Sequence, residues 1–539
     1  MAAVQPKPTS AFKVLVVDDQ QQVRQIIRES LYRLGIKSVV MAANASDAIR
    51  AMKSDLIDLV LSDYNLGEGT DGQQLLEAAR SDHLLTPVVP WIFITANSLK
   101  ADILAAGDYM PDGYIVKPFT DQLLSRYIEA LSARKQALAP LLMAVHSRRW
   151  EHVLAVAEIY AQRSDALSVE GLRQKANALM RLARFEEARG LYERALAMNS
   201  EVAWAQLGRA QSLRALGQAE EAQKLLKRLT IDQPSYAAAY DTLLEISEDS
   251  GDEAETLDLA RTVADIVPNA KRKLKLGAVA LIVGENELAI KALETAVAKS
   301  RHAVTPTPNE SLLLSQALVN GGDAQQALTL ADETAKRFPN QSNTQFLTKA
   351  LSAQAQSKLG NERAAAALMD ELKAKVSEVS LDENGQLLLA KTALATGQDE
   401  LGQQLIAEVA RNNSDRPMML VAAMRAAAGS PKEAECREQV MAAGKVLEGS
   451  LQQLQVAKRN GDLAKALTVG EEALSLSPQH FTVQIELCTL HLIAMNRGDA
   501  DGAHANRARE LLARLETSRP DHDRVAAARK FFRERVGTL

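Results

Sequence analysis

Cysteine and aromatic residues are scarce in this sequence, and each scarcity excludes a class of protein. The cysteines among 539 residues are Cys436 and Cys488, which are too few for a disulfide framework or a four-thiolate zinc site. We expect two buried thiols in a reducing compartment. Aromatic residues make up 4% of the chain, whereas hydrophobic residues make up 47%. The apolar residues are therefore mainly alanine and leucine, which favours helix over strand.

Long apolar runs and a strong excess of one charge are also missing. No run approaches the ~20 residues of a transmembrane helix, and the segment 1–10 has two prolines without the apolar core of a signal peptide. The sequence predicts a cytoplasmic protein without membrane insertion, and a disordered N-terminus over residues 1–11. Lysine and arginine number 63 against 68 aspartates and glutamates, for a net charge of −5. A mildly acidic chain is not expected to bind nucleic acid.

Residues 12–134 alternate strand-like and helix-like segments. The predicted strands are Val14–Val17, Ser38–Met41, Leu56–Ser62, Trp91–Thr95 and Tyr114–Val116. The predicted helices are Val23–Leu34, Ala45–Ser54, Gly72–Arg80, Leu99–Ala106 and Thr120–Arg134, with Gly35 and Asn44 as end signals. This alternation indicates a doubly wound α/β fold, in which a five-stranded parallel sheet is covered by helices on both faces. Functional sites in such folds lie at the carboxyl ends of the strands.

From residue 138 onward the strand signals stop, and helical segments recur with a small residue at regular intervals. These anchor residues are Ala183, Gly217, Gly251, Gly284, Gly322, Gly360, Gly397, Gly429 and Gly461. They recur roughly every 34 residues, with longer steps around Gly322 and Gly360. Arg149 is a candidate to open the series, and Ala503 with Pro520 to close it. Each anchor suits a tight turn between two antiparallel helices, and in four units a proline then ends the second helix, at Pro234, Pro268, Pro339 and Pro478.

Helix pairs of this length resemble the tetratricopeptide repeat (TPR) family. The segments "LARFEEARGLYERALAMNS" and "LGQAEEAQKLLKRLTIDQP" fit the repeat best. The resemblance implies an all-α helical-repeat solenoid over residues 138–520 and a capping helix over residues 521–539. Several units are longer than the family's repeat, and those beyond Gly397 are degenerate. An irregular α-solenoid of another kind is the alternative.

Polar residues stand at the predicted carboxyl ends of four strands in the first region. Asp18 and Asp19 follow the first strand, Asp63 follows the third, Thr95 ends the fourth, and Lys117 follows the fifth. Three converging carboxylates repel one another unless a divalent cation lies among them, and oxygen ligands favour Mg²⁺. The central aspartate can then act as a nucleophile that takes a phosphoryl group as an acyl phosphate.

Four segments, "VLVVDDQ", "LVLSDYNLGEGTDG", "IFITAN" and "GYIVKPF", carry these residues. Together they resemble the receiver domain of bacterial two-component response regulators, whose fold is flavodoxin-like. The resemblance covers residues 12–134. It implies that Asp63 is the phosphoacceptor and that Thr95 and Lys117 contact the phosphoryl group.

The same resemblance implies a metal site and a switch. Asp19 and Asp63 would bind Mg²⁺ together with the backbone carbonyl of Asn65, and Asp18 would assist through water. Tyr114 stands at the position of the family's aromatic switch residue, which turns inward when the threonine moves, although a packed strand residue is an equal alternative. The loop after the acceptor is one residue longer than usual and lacks the usual proline. The stretch before the fifth strand is also long. These departures affect the output surface rather than the acceptor.

The repeat region contains no Walker loop and no HExxH or GxSxG motif. We therefore expect no enzyme activity beyond the receiver's own phosphorylation and dephosphorylation. A phosphoryl group from a sensor histidine kinase or phosphotransfer protein would switch the binding of a protein or peptide in the solenoid groove. The signal would pass through the predicted helix Thr120–Arg134, and homodimerisation is left open. The alternatives are a transcriptional regulator that binds nucleic acid, a phosphatase for small phosphoesters, and a constitutive scaffold with a vestigial receiver.

Overall fold

The computed structural model describes residues 8–67, 71–96, 110–300, 306–497, 502–519 and 522–536. The first region forms one parallel sheet in the order β2-β1-β3-β4-β5. The strands are β1 (Lys13–Val17), β2 (Ser38–Ala42), β3 (Leu59–Ser62), β4 (Trp91–Thr95) and β5 (Gly113–Val116). The helices between and after them are α1 (Gln21–Arg33), α2 (Ala45–Ser54), α3 (Gly72–Ser81) and α4 (Asp121–Ala137). The predicted doubly wound five-stranded sheet is confirmed.

Helices cover both faces of the sheet because its strands are apolar on both sides. On one face Leu15 and Phe93 pack with residues of α2 and α3. On the other face Val16 and Ile92 pack with residues of α1 and α4. Every residue of β3 and β4 is buried, as expected for parallel strands covered on two sides. Asn44 caps α2 by accepting the backbone N–H of residue 47, as predicted.

The predicted start of the third strand is wrong, and one predicted helix lies outside the described residues. The third strand begins at Leu59 rather than Leu56, because pairing with β1 starts there and Leu56 is 91% exposed. Of the segment 1–11 predicted to be disordered, the structure describes residues 8–11, in which Thr9–Ala11 form a 3₁₀ turn next to the buried Phe12. The predicted helix Leu99–Ala106 falls within residues 97–109, which the structure does not describe.

The second region is entirely helical over its described residues. The first helices are α5 (Ala139–His146), α6 (Trp150–Ala161), α7 (Leu167–Arg181), α8 (Phe185–Met198), α9 (Ala203–Ala215), α10 (Ala219–Asp232), α11 (Ala237–Ser250), α12 (Glu253–Ile266), α13 (Ala270–Val283), α14 (Asn286–Ser300) and α15 (Asn309–Gly321). The later helices are α16 (Ala324–Arg337), α17 (Ser342–Lys358), α18 (Glu362–Lys375), α19 (Glu383–Ala395), α20 (Asp399–Asn412), α21 (Pro417–Ala426), α22 (Glu433–Arg459), α23 (Leu463–Leu476), α24 (Phe481–Arg497), α25 (Ala503–Ser518) and α26 (Asp523–Val536). A short 3₁₀ helix, Val376–Glu378, follows α18.

The predicted turns between paired helices carry residues with positive φ, the left-handed backbone that ends a helix tightly. All the predicted glycine anchors and Ala183 adopt it. At the two ends of the series the prediction was wrong by one residue, since the left-handed residues are Arg148 and Gly502 rather than Arg149 and Ala503. The unit after Gly429 lacks the proline that ends the second helix in four other units. Its second helix runs on into the next unit as the 27-residue α22, whereas other units without that proline keep two separate helices.

The array bends so strongly that distant helix pairs meet. Helix α21 packs against α11 and α13 as well as against its sequence neighbours. At Gly251 the approach is so close that a Cβ atom would lie 2.5 Å from Cβ of Pro417. The last helix, α26, contacts α7, and Lys530 lies 3.8 Å from Glu151 of α6. The chain's own later helices thus cover part of the face formed by its early repeats.

The first region is joined to the array without a flexible linker. Helix α4 ends at Ala137, and α5 begins two residues later, at Ala139. Tyr160 of α6 donates a hydrogen bond from its hydroxyl to the Ala137 carbonyl at 2.7 Å. Over the described chain, no helix is both long and apolar enough to cross a membrane.

Candidate functional site

The register of the sheet brings the predicted site residues together at one edge. Val17 of β1 pairs with Ser62 of β3, so the aspartates that follow these two strands are neighbours. Thr95 of β4 pairs with Val116 of β5, and the backbone N–H of Lys117 donates to the Thr95 carbonyl at 2.8 Å. The carboxyl ends of four strands thus supply the site, at the edge predicted for a doubly wound sheet.

Lys117 is the centre of the hydrogen bonding at this edge. Its Nζ atom donates to Oδ2 of Asp63 at 2.7 Å and to Oδ2 of Asp18 at 2.9 Å. The Asp18 side chain is 1% exposed, that of Asp63 is 13% exposed, and that of Lys117 is 21% exposed. Asp63 is thus the more accessible of the two carboxylates, which suits a group that must meet an incoming reactant.

Burial and the neighbouring charges shift the pKa values of Asp18 and Lys117. Burial raises the pKa of Asp18, although the hydrogen bonds from Lys117 and from the backbone of Gln20 act in the opposite direction. Burial alone would lower the pKa of Lys117, but its hydrogen bonds to Asp63 and Asp18 outweigh this, and the net pKa is raised. Lys117 therefore remains an ammonium group across the physiological range, held between two carboxylates.

Asp19 and Asn65 lie beside this group of side chains. The backbone N–H of Asn65 donates to Oδ1 of Asp63 at 3.2 Å, which fixes the start of the loop after β3. A Cβ atom at Gly67 would lie 3.3 Å from Oδ2 of Asp19. That glycine adopts a φ of +77°, so the loop passes closely over the Asp19 carboxylate. The predicted metal ligands are therefore neighbours of the predicted acceptor.

The residue types at this edge fit a hard cation, although the carboxylates do not form a ready-made cage. Aspartates and a backbone carbonyl are the oxygen donors that Mg²⁺ prefers. Within the described ranges, no group of three or more acidic, histidine or cysteine side chains surrounds a common point suited to a metal ion. Asp18 and Asp63 instead direct one oxygen each to Lys117.

The two predicted switch residues occupy neighbouring strands. Thr95 is 3% exposed at the end of β4. Tyr114 of β5 is half-buried and packs its ring 6.1 Å from that of Phe93. Burial, reinforced by the nearby Tyr64, raises the pKa of the Tyr114 phenol. Its buried hydroxyl has no hydrogen-bond partner among the residues that the structure describes. An inward-facing ring with an unsatisfied hydroxyl is compatible with both predicted roles, the switch and the packed strand residue.

A contact between the acceptor loop and the array was not predicted from the sequence. A Cβ atom at Gly72 would lie 2.2 Å from the Asp63 carbonyl oxygen, so α3 begins directly against the acceptor's backbone. Asp71 and Gln74 form a capping box at this helix end. Gln74 also donates from Nε2 to the Lys299 carbonyl at the end of α14, at 3.0 Å. The partners are 225 residues apart in sequence, and no local signal could have found them.

The other end of the α3 region also touches the array. His83, just beyond the helix, stacks edge-on against His146 of α5, with ring centroids 4.6 Å apart. The segment from Gly72 to His83 is thus in contact with the first helix of the array and with the end of α14. These two contact points belong to helix pairs that are far apart in the sequence.

Each of the two regions matches a known protein family. Residues 14–129 match the family model described as the response regulator receiver domain, and residues 179–245 match a tetratricopeptide repeat model. The chemotaxis protein CheY of Pseudomonas aeruginosa is 34% identical over 122 residues, which span 23% of this chain and 97% of that protein. CheY1 of Helicobacter pylori is 36% identical over 120 residues, spanning 22% of this chain and 95% of its own.

Two solved structures are also similar to parts of the chain. A response regulator receiver domain protein from Clostridium thermocellum is 29% identical and covers 24% of this chain and 98% of its own, with a TM-score of 0.21. A tetratricopeptide repeat protein from Parabacteroides merdae is 12% identical and covers 50% of this chain and 98% of its own, with a TM-score of 0.35.

Proposed function

We propose that this chain, which belongs to the response regulator family through its receiver domain, takes up a phosphoryl group on Asp63 and thereby changes which proteins its TPR array binds. The observation that carries the proposal is the 2.7 Å hydrogen bond between Lys117 Nζ and the partly exposed Asp63 carboxylate, beside the buried Asp18. A reachable carboxylate with a fixed ammonium next to it has the parts that phosphoryl transfer needs.

In the proposed reaction, one oxygen of Asp63 attacks the phosphorus of a phosphohistidine on a sensor kinase or phosphotransfer protein. An O–P bond forms, the N–P bond breaks, and the imidazole leaves. The Lys117 ammonium lies where negative charge on the phosphoryl oxygens collects, and the Thr95 hydroxyl supplies a further donor at the end of β4. When bound, Mg²⁺ would neutralise phosphoryl charge, held by Asp19, Asp63 and the Asn65 carbonyl, with Asp18 assisting.

The contacts of α3 support a route from the acceptor to the array. Phosphorylation gives the acceptor a dianionic group in place of a carboxylate, and the Asp63 backbone is in contact with Gly72 at the start of α3. A shift there would reach α14 through Gln74 and α5 through His83. This route adds to the proposed one through α4, which continues almost directly into α5. Small shifts at a receiver can become larger ones in an array whose ends contact one another.

The other functions considered from the sequence gain no support. A net charge of −5 disfavours a nucleic-acid output. Receiver and TPR domains are typical of signalling and interaction rather than of catalysis. We propose that the chain catalyses only its own phosphorylation and dephosphorylation. A vestigial receiver is disfavoured because Lys117 donates hydrogen bonds to both Asp18 and Asp63.

The acceptor is tested by intact-protein mass after incubation with Mg²⁺ and acetyl phosphate. Wild type should gain one phosphoryl group, Asp63→Asn should gain none, and the control Asp47→Asn, on α2, should behave like wild type. Uptake by Asp63→Asn would contradict the assignment. No uptake by wild type from either acetyl phosphate or a phosphohistidine donor would favour the constitutive scaffold.

The α3 route is tested with Gln74→Glu. This variant keeps an oxygen acceptor for the capping box but removes the N–H donor to the Lys299 carbonyl. Hydrogen exchange of the α14 segment 290–300 should change on phosphorylation of wild type and of the exposed control Gln325→Glu, and should change much less in Gln74→Glu. An equal change in all three chains would rule out this contact as a route.

A further inference from the structure

A cavity of about 320 Å³ lies where α21 packs against earlier helices of the array. Residues of α11, α13, α15, α19 and α21 line it. Because α21 contacts α11, α13 and α19 only through the bend of the array, the cavity is a product of that bend. Its volume lies at the lower end of the range of about 300–1,000 Å³ that is typical of small-molecule sites. The cavity therefore suits a small ligand.

The charges that line this cavity are balanced by ion pairs except at one residue, Lys391 of α19. Each lining acid has a cation partner, and each of the other lining cations has an acid partner. The pairs are Lys275 with Glu248, Arg416 with Glu383, Arg425 with Glu253, and Arg214 with Asp249. No carboxylate lies within ion-pair distance of Lys391 among the residues that the structure describes. The lining thus carries one uncompensated positive charge.

The surroundings of Lys391 make its charge costly to keep. Lys391 is partly buried, and its ammonium group donates to the side-chain oxygen of Asn320, which also lines the cavity. A neutral amide oxygen uses one of the three ammonium donors and supplies no opposite charge. Burial, followed by the positive charge of Lys358, lowers the pKa of Lys391 to about 8. An ammonium group that is held at a cavity against these effects would gain from an anionic ligand.

The uncharged part of the lining is mainly aliphatic. Its larger apolar side chains are those of Leu281, Ile282, Leu313, Leu387, Met418 and Met419. No aromatic ring lines the cavity in the part of the chain that the structure describes. Methionine side chains are flexible and adapt to an irregular space. Such a lining suits a flexible aliphatic chain next to the single uncompensated charge.

We propose that this cavity binds a small aliphatic monocarboxylate, whose carboxylate pairs with Lys391 and whose chain lies against the leucine, isoleucine and methionine side chains. The site goes beyond the proposed phosphoryl switch and does not depend on Asp63. Because Lys391 belongs to α19 and two of the methionines to α21, the ligand would hold these helices together and stabilise the bend of the array. Phosphate fits less well, since the other lining cations are already paired with acids of the chain.

The test titrates the full chain with hexanoate and octanoate at pH 7 by isothermal titration calorimetry. At least one of the two should bind saturably with a stoichiometry of one, and 1-octanol, which lacks the charge, should bind at least tenfold more weakly. Lys391→Met should weaken carboxylate binding about tenfold, since it removes one charge-assisted contact and keeps an unbranched side chain. Urea unfolding checks that this variant is folded. Lys224→Met, on an exposed lysine of α10, should leave the affinity unchanged.

The pH dependence of the affinity supplies a second readout. Only the ammonium form of Lys391 pairs with a carboxylate, and its pKa in the free chain is about 8. The affinity of wild type should therefore fall about tenfold between pH 7 and pH 9, and that of Lys391→Met should not. Four results would overturn the proposal: no saturable binding of either carboxylate, equal binding of 1-octanol, an affinity that Lys391→Met leaves unchanged, or displacement of octanoate by a lower concentration of inorganic phosphate.

Discussion

Gly72→Ala perturbs the point at which the acceptor's backbone meets α3. A Cβ atom at this position would lie 2.2 Å from the Asp63 carbonyl oxygen and 3.0 Å from both the Phe93 ring and the Tyr64 Cα atom. Ordinary contacts begin at 3.4 Å. The carbonyl and the helix must therefore separate by roughly 1 Å, since a packed interior leaves no spare space to absorb the overlap. Two of the three neighbours are backbone atoms, which cannot turn away as a side chain can.

The cost follows from that geometry. Forcing an extra methyl group into a packed site destabilises by about 1–3 kcal/mol, and the upper end applies because backbone must move. A misplacement of about 1 Å at reacting groups slows a reaction by up to about 100-fold. We therefore expect Gly72→Ala to lower the local stability of β3 and α3 by about 2–3 kcal/mol and to slow phosphoryl uptake at least tenfold.

Hydrogen exchange of the β3 and α3 peptides in the full chain measures the first quantity, and the time course of intact mass with acetyl phosphate measures the second. Gly190→Ala is the matched control, because it lies within α8 and its Cβ would meet nothing within 4 Å. That change should stabilise its helix by about 0.5–1 kcal/mol. If Gly72→Ala kept both wild-type exchange and wild-type uptake, the close contact between the acceptor loop and α3 would be refuted.

Two further predictions concern titrating groups in the array. His522 has its pKa lowered to about 4, first by burial. Below pH ~6.5 the His522 ring is therefore protonated in the unfolded chain but stays neutral in the folded chain. Stability of the array should fall as the pH drops from 6.5 towards 4, by about 1 kcal/mol after allowance for solvent screening. His522→Gln should reduce this dependence, and an unchanged urea-unfolding profile across that window would contradict it. Lys391 of α19 is bonded to Asn320, and its pKa is lowered to about 8, first by burial and then by Lys358. Wild-type stability should rise between pH 8 and 10.5, because only the folded chain has released this proton. Lys391→Met should remove that rise and stabilise the array by about 2 kcal/mol at pH 7. A loss of stability at pH 7 would contradict a net cost of burying this ammonium group.

The sheet and the acceptor edge could be predicted because their signals are local. Runs such as Val14–Val17 and Trp91–Thr95 are apolar on both faces, which indicates buried parallel strands. Once the strand order is assumed, the ends of the strands bring Asp18, Asp63 and Lys117 together. The predicted start of β3 was wrong because Leu56 is an apolar residue and was therefore assigned to the strand. Its exposure depends on where pairing with β1 begins, which the sequence does not show.

The repeats were predictable where glycine marks the turn and less so elsewhere. Arg148 adopts a left-handed backbone without being glycine, so the sequence carries no signal that separates it from Arg149. The fusion of two helices into α22 has no distinguishing signal in the sequence, because other units that lack the proline keep separate helices. The packing of α21 against α11 and α13, and the contact of Gln74 with Lys299, depend on the curvature of the whole array. Such contacts are tertiary, and no periodicity in the sequence encodes them.

In the proposed reaction, Asp63 carries the phosphoryl group. Borohydride reduction of the chain after treatment with Mg²⁺ and acetyl phosphate tests it directly, because an aspartyl phosphate is reduced to homoserine while a free carboxylate is not. Peptide mapping by mass spectrometry should find homoserine at position 63 and aspartate at positions 18 and 19. Homoserine at another position, or none in a chain that has gained the mass of one phosphoryl group, would contradict the account.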